Sequence, residues 1–363
     1  MNILFISNLT GNMWAGPNNS VPAQILAQSK IDNVFWYNVN YNKKKEWVET
    51  GFFFNFDDYP GNSIFKLPDP FSRPDLVIFE GIYEYKFSKI ALEVQKYNIP
   101  YILIPRSQLT KNAQSHKRIK KKVGNLIFFK KFIKNATAIQ YLTQKELNES
   151  GMDWNKSCIV IPNGINQKNI NSIKSDDASI KGIYIGRIEI YQKGLDVLVE
   201  ACIEMQNEMR KQKCTIDLYG PDRDGAKEKL MKMISEAGIQ DLISINDGIF
   251  DLEKERVQRE ADFFIMTSRF EGHPMGLIEA LSYGLPSLVS AGTNMADEVK
   301  LYNAGWTCES KLESIKSSII EMLSEVDKFE EKSVNALKLS SIYNWEKIAS
   351  VSHEEYSNLL KGK

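Results

Sequence analysis

Residues 262–290 read Asp262-Phe-Phe-Ile-Met-Thr-Ser-Arg-Phe-Glu271-Gly-His-Pro-Met-Gly-Leu-Ile-Glu279-Ala-Leu-Ser-Tyr-Gly284-Leu-Pro-Ser-Leu-Val-Ser290. An apolar run, a loop, a short helix and a second apolar run follow one another, which predicts a complete strand, loop, helix and strand unit. Pro274 suits the first turn of the helix, where a missing N–H costs little, and Gly284 is a typical helix stop. We therefore expect a helix of about nine residues, roughly 13 Å long.

The start of this helix offers an anion site. Backbone N–H groups from about His273 to Leu277 are expected to lack partners and to point beyond the carboxyl end of the strand, where open α/β sheets bind ligands. Glu271 precedes the helix and Glu279 lies on its second turn. One carboxylate can face a reacting sugar and the other a ribose, with a diphosphate between them. The alternative is a capping glutamate and a solvated helix glutamate.

This segment resembles glycosyltransferase family 4. Glu271-Gly-x-Pro274-x-x-x-x-Glu279-Ala, followed by Gly284-x-Pro, matches the E-x7-E region of that family. The resemblance implies the GT-B fold, an α/β architecture of two facing Rossmann-like domains with an interdomain cleft. It assigns the donor ribose to Glu279, the donor sugar near the reacting centre to Glu271, the diphosphate to the backbone of Met275, Gly276 and Leu277, and a further donor contact to His273.

A second match lies at Gly182-Ile-Tyr-Ile-Gly186-Arg187, which is followed by Lys193-Gly194. A strand that ends in Gly-Arg, with a lysine six residues later, predicts two fixed positive charges where the strand opens into the crevice. The resemblance implies that Arg187 and Lys193 neutralise the donor diphosphate as the glycosidic bond breaks, beside Gly186. The alternative is a surface arginine and lysine that flank a turn.

The remaining matches are weaker. Gly220, and Gly248 with Ile249, lie in stretches that resemble the family's loops around the nucleotide base, although glycines also form ordinary turns. In the N-terminal half, Gly16 and Asn18 resemble a loop that opens onto donor phosphate and acceptor.

Arg106 follows an apolar run in Ile104-Pro-Arg106-Ser107. A branch of the family has Pro-Arg-Gly here, so Arg106 is expected to bind an acceptor phosphate or a donor group, with Ser107 in place of the glycine. Many relatives have a histidine near this point, and no general-base histidine can be transferred to this chain. The acceptor side is therefore less defined than the donor side.

Apolar runs alternate with helical periodicity along the whole chain, which predicts parallel α/β architecture in two domains. The turn-rich stretch 161–171 and the polar stretch 172–179 are the expected hinge. We expect an N-terminal acceptor-binding domain at 1–163 with a returning helix at 345–363, and a C-terminal donor-binding domain at 164–344. The predicted strands are 3–7, 76–79, 101–104, 138–142, 159–161, 182–185, 215–219, 263–267 and 286–290.

Composition excludes several other classes of protein. The 363 residues carry 46 basic and 46 acidic side chains, so a polycationic nucleic-acid binder is not indicated. Four scattered cysteines and three separated histidines give neither a disulfide framework nor a zinc site, and we expect no metal or cofactor. The first apolar run is too short for a signal peptide and no later run could span a membrane, which favours a cytoplasmic location.

Residues 111–134 form a basic segment with nine lysines and arginines and no acid. Apolar and aromatic residues are interleaved with the charges, as in helices that lie on anionic membranes. The alternatives are a solvated helix face over a core and an RNA-binding patch. We expect peripheral contact with the inner face of the cytoplasmic membrane.

The sequence therefore predicts a retaining, metal-independent glycosyltransferase that moves a hexose from a nucleotide diphosphate donor to a saccharide acceptor. The acceptor would be a polyprenyl-diphosphate-linked intermediate of O-antigen, capsule or exopolysaccharide synthesis. The rival interpretations are a sugar-nucleotide epimerase and a non-catalytic membrane-docking subunit. A dinucleotide oxidoreductase is disfavoured because no G-x-G-x-x-G motif follows a strand.

Overall fold

The computed structural model describes residues 1–12, 15–115, 118–151, 153–168 and 179–362. Contacts divide the chain into two compact units, Met1–Gly164 with Trp345–Lys363, and Ile165–Asn344. We refer to them as the N-terminal and C-terminal units. Most of the stretch expected to act as a hinge, residues 169–178, lies outside the described residues.

Each unit is built on one parallel sheet. The strands are β1 (Asn2–Ser7), β2 (Asn33–Asn38), β3 (Phe53–Asn55), β4 (Leu76–Glu80), β5 (Tyr101–Ile104), β6 (Ala138–Tyr141), β7 (Cys158–Val160), β8 (Ile180–Ile185), β9 (Cys214–Tyr219), β10 (Ile243–Asn246), β11 (Phe263–Met266), β12 (Ser287–Ser290) and β13 (Gly305–Cys308).

Helices cover both sheets. They are α1 (Pro17–Gln28), α2 (Lys45–Val48), α3 (Ser88–Lys96), α4 (Lys111–Ser115), α5 (Arg118–Gly124), α6 (Lys130–Lys134), α7 (Gln144–Ser150), α8 (Ile190–Lys193), α9 (Leu195–Glu204), α10 (Gln206–Lys211), α11 (Ala226–Glu236), α12 (Asp251–Glu260), α13 (Met275–Ser282), α14 (Ala296–Leu301), α15 (Leu312–Ser324), α16 (Phe329–Ser341) and α17 (Trp345–Lys361). A π-helical turn at Asn125–Phe129 joins α5 to α6, and short 3-10 turns complete the connections.

The N-terminal sheet has the strand order β3-β2-β1-β4-β5-β6-β7, with every described pair parallel. Its central strands are continuous apolar runs because helices bury both faces. The predicted strands of this half are present, and β2 and β3 are additional. The order reverses between β1 and β4, which makes their carboxyl ends the expected binding edge.

The C-terminal sheet has the order β10-β9-β8-β11-β12-β13, again all parallel. This repeats the first six positions of the N-terminal order, so the expected pair of Rossmann-like sheets is confirmed. The order reverses between β8 and β11. Both strands end beside motifs identified in the sequence, Gly186-Arg187 after β8 and the Glu271 loop after β11.

The helix expected after β11 is α13. It has eight residues, and Pro274 is its N-cap residue rather than a member of its first turn. At the other end, Gly284 has φ +71°, and the N–H of Leu285 donates to the carbonyl of Ala280 across the stop. Any other residue at position 284 would need a left-handed backbone conformation, and its Cβ would also lie close to the side chain of Ser333. The predicted glycine stop is therefore present.

The closing helix α17 packs against α1 of the N-terminal unit, as the resemblance implied. Trp345, Ile348 and Tyr356 of α17 are buried, and the Tyr356 hydroxyl donates to Gln140 Oε1 at 2.6 Å. Val351 of the same helix is about half exposed. The chain thus returns to the first sheet after it completes the second.

Candidate active site

The candidate site lies where β8 and β11 diverge in the C-terminal unit. Gly186 follows β8, and its N–H donates to the carbonyl of Tyr219 at 2.9 Å. Gly220 directly follows β9, and an added Cβ there would lie 1.7 Å from the Gly186 carbonyl oxygen. Both predicted glycines therefore lie at a close approach of two backbones, and Gly220 in particular leaves no space for a side chain.

Lys193 and Glu271 meet at this edge of the sheet. The Lys193 ammonium is 2.5 Å from Glu271 Oε1, and the side chains are only 11% and 9% exposed. Lys193 ends the short helix α8, and the hydroxyl of Thr267 donates to its carbonyl from the end of β11. The structure thus brings together two residues that stand 78 positions apart in the sequence.

The Glu271 loop is held by polar residues that the sequence analysis did not identify. The Ser268 hydroxyl donates to Glu271 Oε1 at 2.7 Å. The Ser290 hydroxyl donates to the backbone carbonyl of Ser268 at 2.6 Å. Asn294 donates from its side-chain amide to the backbone carbonyls of Glu271 and Gly272. Asn294 has φ +63°, a conformation that asparagine tolerates better than most residues. The sequence Gly292-Thr293-Asn294 favours a turn at this point, but nothing in it indicates that Asn294 contacts the Glu271 loop.

Arg187 lies beside this pair without contacting it in the described structure. Its guanidinium donates to Gln192 at 3.2 Å and lies 3.6 Å from the carboxylate of Glu189. Gln192 also receives the N–H of Arg269, which links α8 to the loop after β11. The two positive charges expected here are therefore both present, but each is already paired with a carboxylate.

The backbone at the start of α13 offers fewer donors than predicted. The N–H of Leu277 donates to the carbonyl of Pro274 at 3.1 Å, and the Leu277 side chain is buried in the core. Among the described residues, the N–H groups of Met275 and Gly276 have no acceptor. Of the three backbone donors that resemblance assigns to the diphosphate, two are therefore available in the described residues, because the N–H of Leu277 closes a turn at Pro274.

Glu279 lies on α13 and is paired with a lysine that the sequence analysis did not identify. The ammonium of Lys254, from α12, donates to Glu279 Oε2, and both side chains are about a quarter exposed. Lys254 is charged and sits among other charged residues in Asp251–Glu260, so no sequence signal distinguished it. The carboxylate that resemblance assigns to the donor ribose is therefore already held by a lysine through one of its oxygens.

His273 is buried against the ring of Tyr343, whose centroid lies 5.2 Å away. Burial lowers the pKa of His273 from 6.5 to about 3, so its imidazole is neutral over the physiological range. A neutral imidazole can still donate or accept one hydrogen bond. The expected donor contact would therefore involve a dipole and not a charge.

The expected base loop connects β10 to α12. Gly248 and Ile249 lie in it, and the Ile249 side chain is buried in the core of the C-terminal unit. The N–H of Gly220 reaches the carbonyl of Asn246 at 3.4 Å, which brings the two predicted base loops together. Any contact of Ile249 with a base would thus come from its backbone.

Arg106 lies in the N-terminal unit and is almost fully enclosed. Its Nε donates to Glu80 Oε2 at 2.9 Å, and its Nη2 lies 2.8 Å from the same oxygen in an ion pair. Its Nη1 donates to Ser20 and Asn163 and its Nη2 to Gln24, at 3.0 to 3.2 Å. The predicted acceptor contact would require one of these bonds to break.

The backbone at Arg106 explains the glycine seen in the related branch. Arg106 and Ser107 have φ +48° and +67°, the left-handed region that glycine adopts most readily. The N–H of Ser107 donates to the buried carboxylate of Glu146, which also accepts from the N–H of Leu142. These bonds hold a serine where the branch has glycine.

Gly16 and Asn18 begin the first helix of the N-terminal unit. Gly16 is the N-cap residue of α1 with φ −44°, and an added Cβ would meet open space. Asn18 is buried, and its Oδ1 accepts the N–H of Gly11 at 2.9 Å. Asn18 thus holds the loop after β1, and Gly16 is not required there by backbone geometry. The loop residues 13 and 14 lie outside the described residues.

Two kinds of feature are absent from the described part of the chain. No group of three or more histidine, cysteine, aspartate or glutamate side chains is arranged there to hold a metal ion. No described helix combines the length and the apolar character that crossing a bilayer requires.

Comparison of the sequence with known proteins gives consistent matches. Residues 166–338 match the model of the family "Glycosyl transferases group 1". Protein CapJ of Staphylococcus aureus is 26% identical over 171 residues, which cover 47% of this chain and 42% of CapJ. The GDP-mannose:cellobiosyl-diphosphopolyprenol alpha-mannosyltransferase of Xanthomonas oryzae is 23% identical over 212 residues, 55% of this chain and 53% of that protein. The matches thus span about half the length of these relatives.

Comparison of the structure extends over almost the whole chain. The crystal structure of Anabaena Alr3699/HepE in complex with UDP has a TM-score of 0.73, with 15% identity, over 99% of this chain and all of that one. WaaG, described as a glycosyltransferase involved in lipopolysaccharide biosynthesis, has a TM-score of 0.64 with 13% identity over 98% and 99%. These likenesses show that the chain has the GT-B fold, and the match to the group 1 glycosyl transferases covers residues 166–338, within the C-terminal unit.

Proposed function

We propose that the protein is a retaining glycosyltransferase that works without a metal ion, with the donor bound by the C-terminal unit and the saccharide acceptor by the N-terminal unit. The observation that carries this proposal is the Lys193–Glu271 pair at the divergence of β8 and β11, beside the free N–H groups of Met275 and Gly276. A cation, a carboxylate and two backbone donors in one place suit a sugar diphosphate.

The chemistry follows from the charges that develop in the reaction. The bond between the anomeric carbon and the β-phosphate oxygen breaks, and its electron pair goes to the phosphate while the sugar ring becomes oxocarbenium-like. An acceptor hydroxyl attacks the same face of the sugar and gives its proton to the departing phosphate. Lys193, Arg187 and the start of α13 would stabilise the new phosphate charge. Glu271 would bind the sugar hydroxyls.

The relatives suggest which donor to test first. Anabaena HepE has been crystallised with UDP and with UDP-glucose, and the name of the Xanthomonas relative specifies GDP-mannose. That name also specifies a diphosphopolyprenol-linked acceptor, and the CapJ relative hints at capsule synthesis. We therefore propose a uridine or guanosine diphosphate hexose as donor and a polyprenyl-diphosphate-linked saccharide as acceptor.

A thermal-shift screen tests the donor assignment. The purified protein is melted with UDP, GDP, ADP, dTDP and CMP and with their common sugars, with and without EDTA. A ligand at a hundred times its Kd stabilises by about 2.7 kcal/mol, a shift of a few degrees. We expect one nucleoside diphosphate to give this shift whether or not EDTA is present.

Each other outcome favours a different function. A shift that disappears with EDTA would contradict the metal-independent mechanism. A sugar nucleotide converted to an isomer without acceptor would identify an epimerase. No shift with any nucleotide, in folded protein, would contradict the transferase proposal and favour a docking subunit.

We also propose contact with anionic membrane through residues 111–134. Within this segment, Phe132 and Ile133 are buried in the core, while Leu126 and Ile127 are 88% and 76% exposed. The exposed lysines nearby are Lys122, Lys130, Lys131 and Lys134. An exposed apolar pair between lysines suits a lipid surface, which takes the apolar groups below the headgroups and attracts each lysine by about 1 kcal/mol. Residues 116 and 117 lie outside the described residues.

The membrane proposal predicts that the Leu126→Asp, Ile127→Asp double variant loses most of its binding to phosphatidylglycerol vesicles in a sedimentation assay. We expect a loss of about tenfold or more, because two insertions are replaced by two repulsive charges. The control is Leu301→Asp, an equally exposed leucine in the C-terminal unit. Equal binding of wild type and double variant would contradict the proposal, and preferential binding to RNA would favour the nucleic-acid alternative.

A further inference from the structure

Lys254 is the cation closest to the carboxylate that resemblance assigns to the donor ribose, and no motif assigns it a role. Its ammonium donates to Glu279 Oε2. Among the described residues, Glu279 Oε1 accepts no hydrogen bond. The ammonium fixes the position of Oε2, so Lys254 limits the positions that Oε1 can take.

Lys254 also connects Glu279 to the loop after β10. Its backbone N–H donates to the carbonyl of Phe250 at 3.2 Å, in the first turn of α12. Phe250 directly follows Gly248 and Ile249, the stretch that resembles a base-binding loop. One residue therefore links the expected base loop to the expected ribose carboxylate.

We propose that Lys254 is a positioning residue for the donor nucleotide, which it makes selective for ribonucleotides over 2′-deoxyribonucleotides. This inference rests on the proposed function. Lys254 holds Glu279 Oε2, and the free Oε1 accepts from the ribose hydroxyls. Because the ammonium neutralises Glu279, the carboxylate can lie near a diphosphate without strong repulsion.

In this arrangement the 2′-hydroxyl contributes to the binding affinity of the nucleotide. A site built to hydrogen-bond a hydroxyl rejects the analogue that lacks it, because its buried acceptor is then left unpaired. If Lys254 is removed, the Glu279 side chain can rotate and the diol no longer meets a fixed acceptor. The penalty falls mainly on the ribonucleotide, since the deoxynucleotide keeps the 3′-hydroxyl but never made the bond from the 2′-hydroxyl.

The test compares the binding of two nucleotides to the wild type and to two variants. The ribonucleoside diphosphate, UDP or GDP, whichever the wild type binds, and its 2′-deoxy counterpart are titrated calorimetrically into wild type, Lys254→Met and Lys254→Arg. We expect Lys254→Met to weaken binding of the ribonucleotide about tenfold and binding of the deoxynucleotide less than about twofold. Lys254→Arg should keep most of the selectivity, because it can still donate to Glu279.

Two controls separate positioning from general damage. Lys316→Met removes another close lysine–glutamate pair of the same unit, Lys316 with Glu204, and should change neither affinity. Lys254→Met should add nothing to Glu279→Gln, since both act through one contact. Equal weakening of both nucleotides, or equal binding of both by the wild type, would overturn this inference alone. Failure of the wild type to bind UDP or GDP would overturn the proposed function and this inference with it.

Discussion

Glu271→Gln is expected to lower kcat by about 10²- to 10³-fold while the protein remains folded. The Glu271 carboxylate accepts from Lys193 and Ser268, and its loop is held by Asn294. Glutamine keeps the size of the side chain and loses its charge, so it retains the loop but binds the sugar hydroxyls and the Lys193 ammonium more weakly. The measurement is sugar transfer from the nucleotide donor identified by thermal shift, with the melting temperature of each variant recorded alongside.

Lys193→Met is expected to lower kcat at least as much, for a different reason. Lys193 would stabilise the charge that appears on the leaving phosphate, and methionine cannot. The change also leaves the nearly buried Glu271 without its counterion, so some loss of stability should accompany it. The double variant with Glu271→Gln and Lys193→Met should lower kcat by much less than the product of the two single reductions, because the two residues act as one unit.

The Lys316→Met variant is the matched control, since it removes an ion pair of equal length that lies on the surface. Such exposed pairs contribute little, so its turnover should stay close to that of the wild type. Near-normal turnover in Glu271→Gln or Lys193→Met would contradict the assignment of the active site. A change in the Lys316→Met variant of similar size would show that the assay responds to stability and not to catalysis.

The order of elements around the site could be predicted from sequence because its signals are local. The apolar run before Thr267, the Pro274 start and the Gly284 stop lie within one short segment, and each acts on its own neighbours. The strands β2, β3, β10 and β13 were not predicted. Two of them, Ile-Ser-Ile-Asn at β10 and Gly-Trp-Thr-Cys at β13, are short and contain polar residues, so tertiary pairing decides their structure.

The partners of the site residues could not be predicted, because they depend on tertiary contacts between distant segments. Lys254 meets Glu279 across 25 positions and Arg106 meets Glu80 across 26, with no spacing rule that links either pair. The sequence placed Arg106 near the end of β5 correctly. It could not reveal that four acceptor side chains would enclose the guanidinium, because all four come from other segments of the chain.

Arg106→Met is expected to destabilise the protein by about 3–5 kcal/mol, which corresponds to roughly 6 to 20 °C in Tm at this size. The reason is Glu80, whose side chain has 0% exposure and which would lose its counterion and the hydrogen bond from Arg106 Nε. Its Oε1 already lacks a partner among the described residues. Thermal unfolding of the variant and the wild type at neutral pH measures the difference.

The destabilisation should depend on pH. Burial raises the pKa of Glu80 above its ordinary value of 4.5, and Arg106 opposes that effect. Removing Arg106 therefore raises the pKa further in the folded protein. Between the unfolded and the folded pKa the folded state binds more protons, so stability falls as pH rises through that window. The difference in the free energy of unfolding between the wild type and Arg106→Met should therefore be smaller near pH 4.5 than at neutral pH.

A second change distinguishes this role from the acceptor contact that resemblance implied. Adding Glu80→Gln to Arg106→Met removes the buried charge, so the double variant should recover stability at neutral pH and lose most of its pH dependence. Arg106→Met with unchanged stability and lost transfer activity would instead show that the guanidinium serves the acceptor. If both effects appear, the double variant separates them, because Glu80→Gln can restore the fold but cannot replace a cation that binds phosphate.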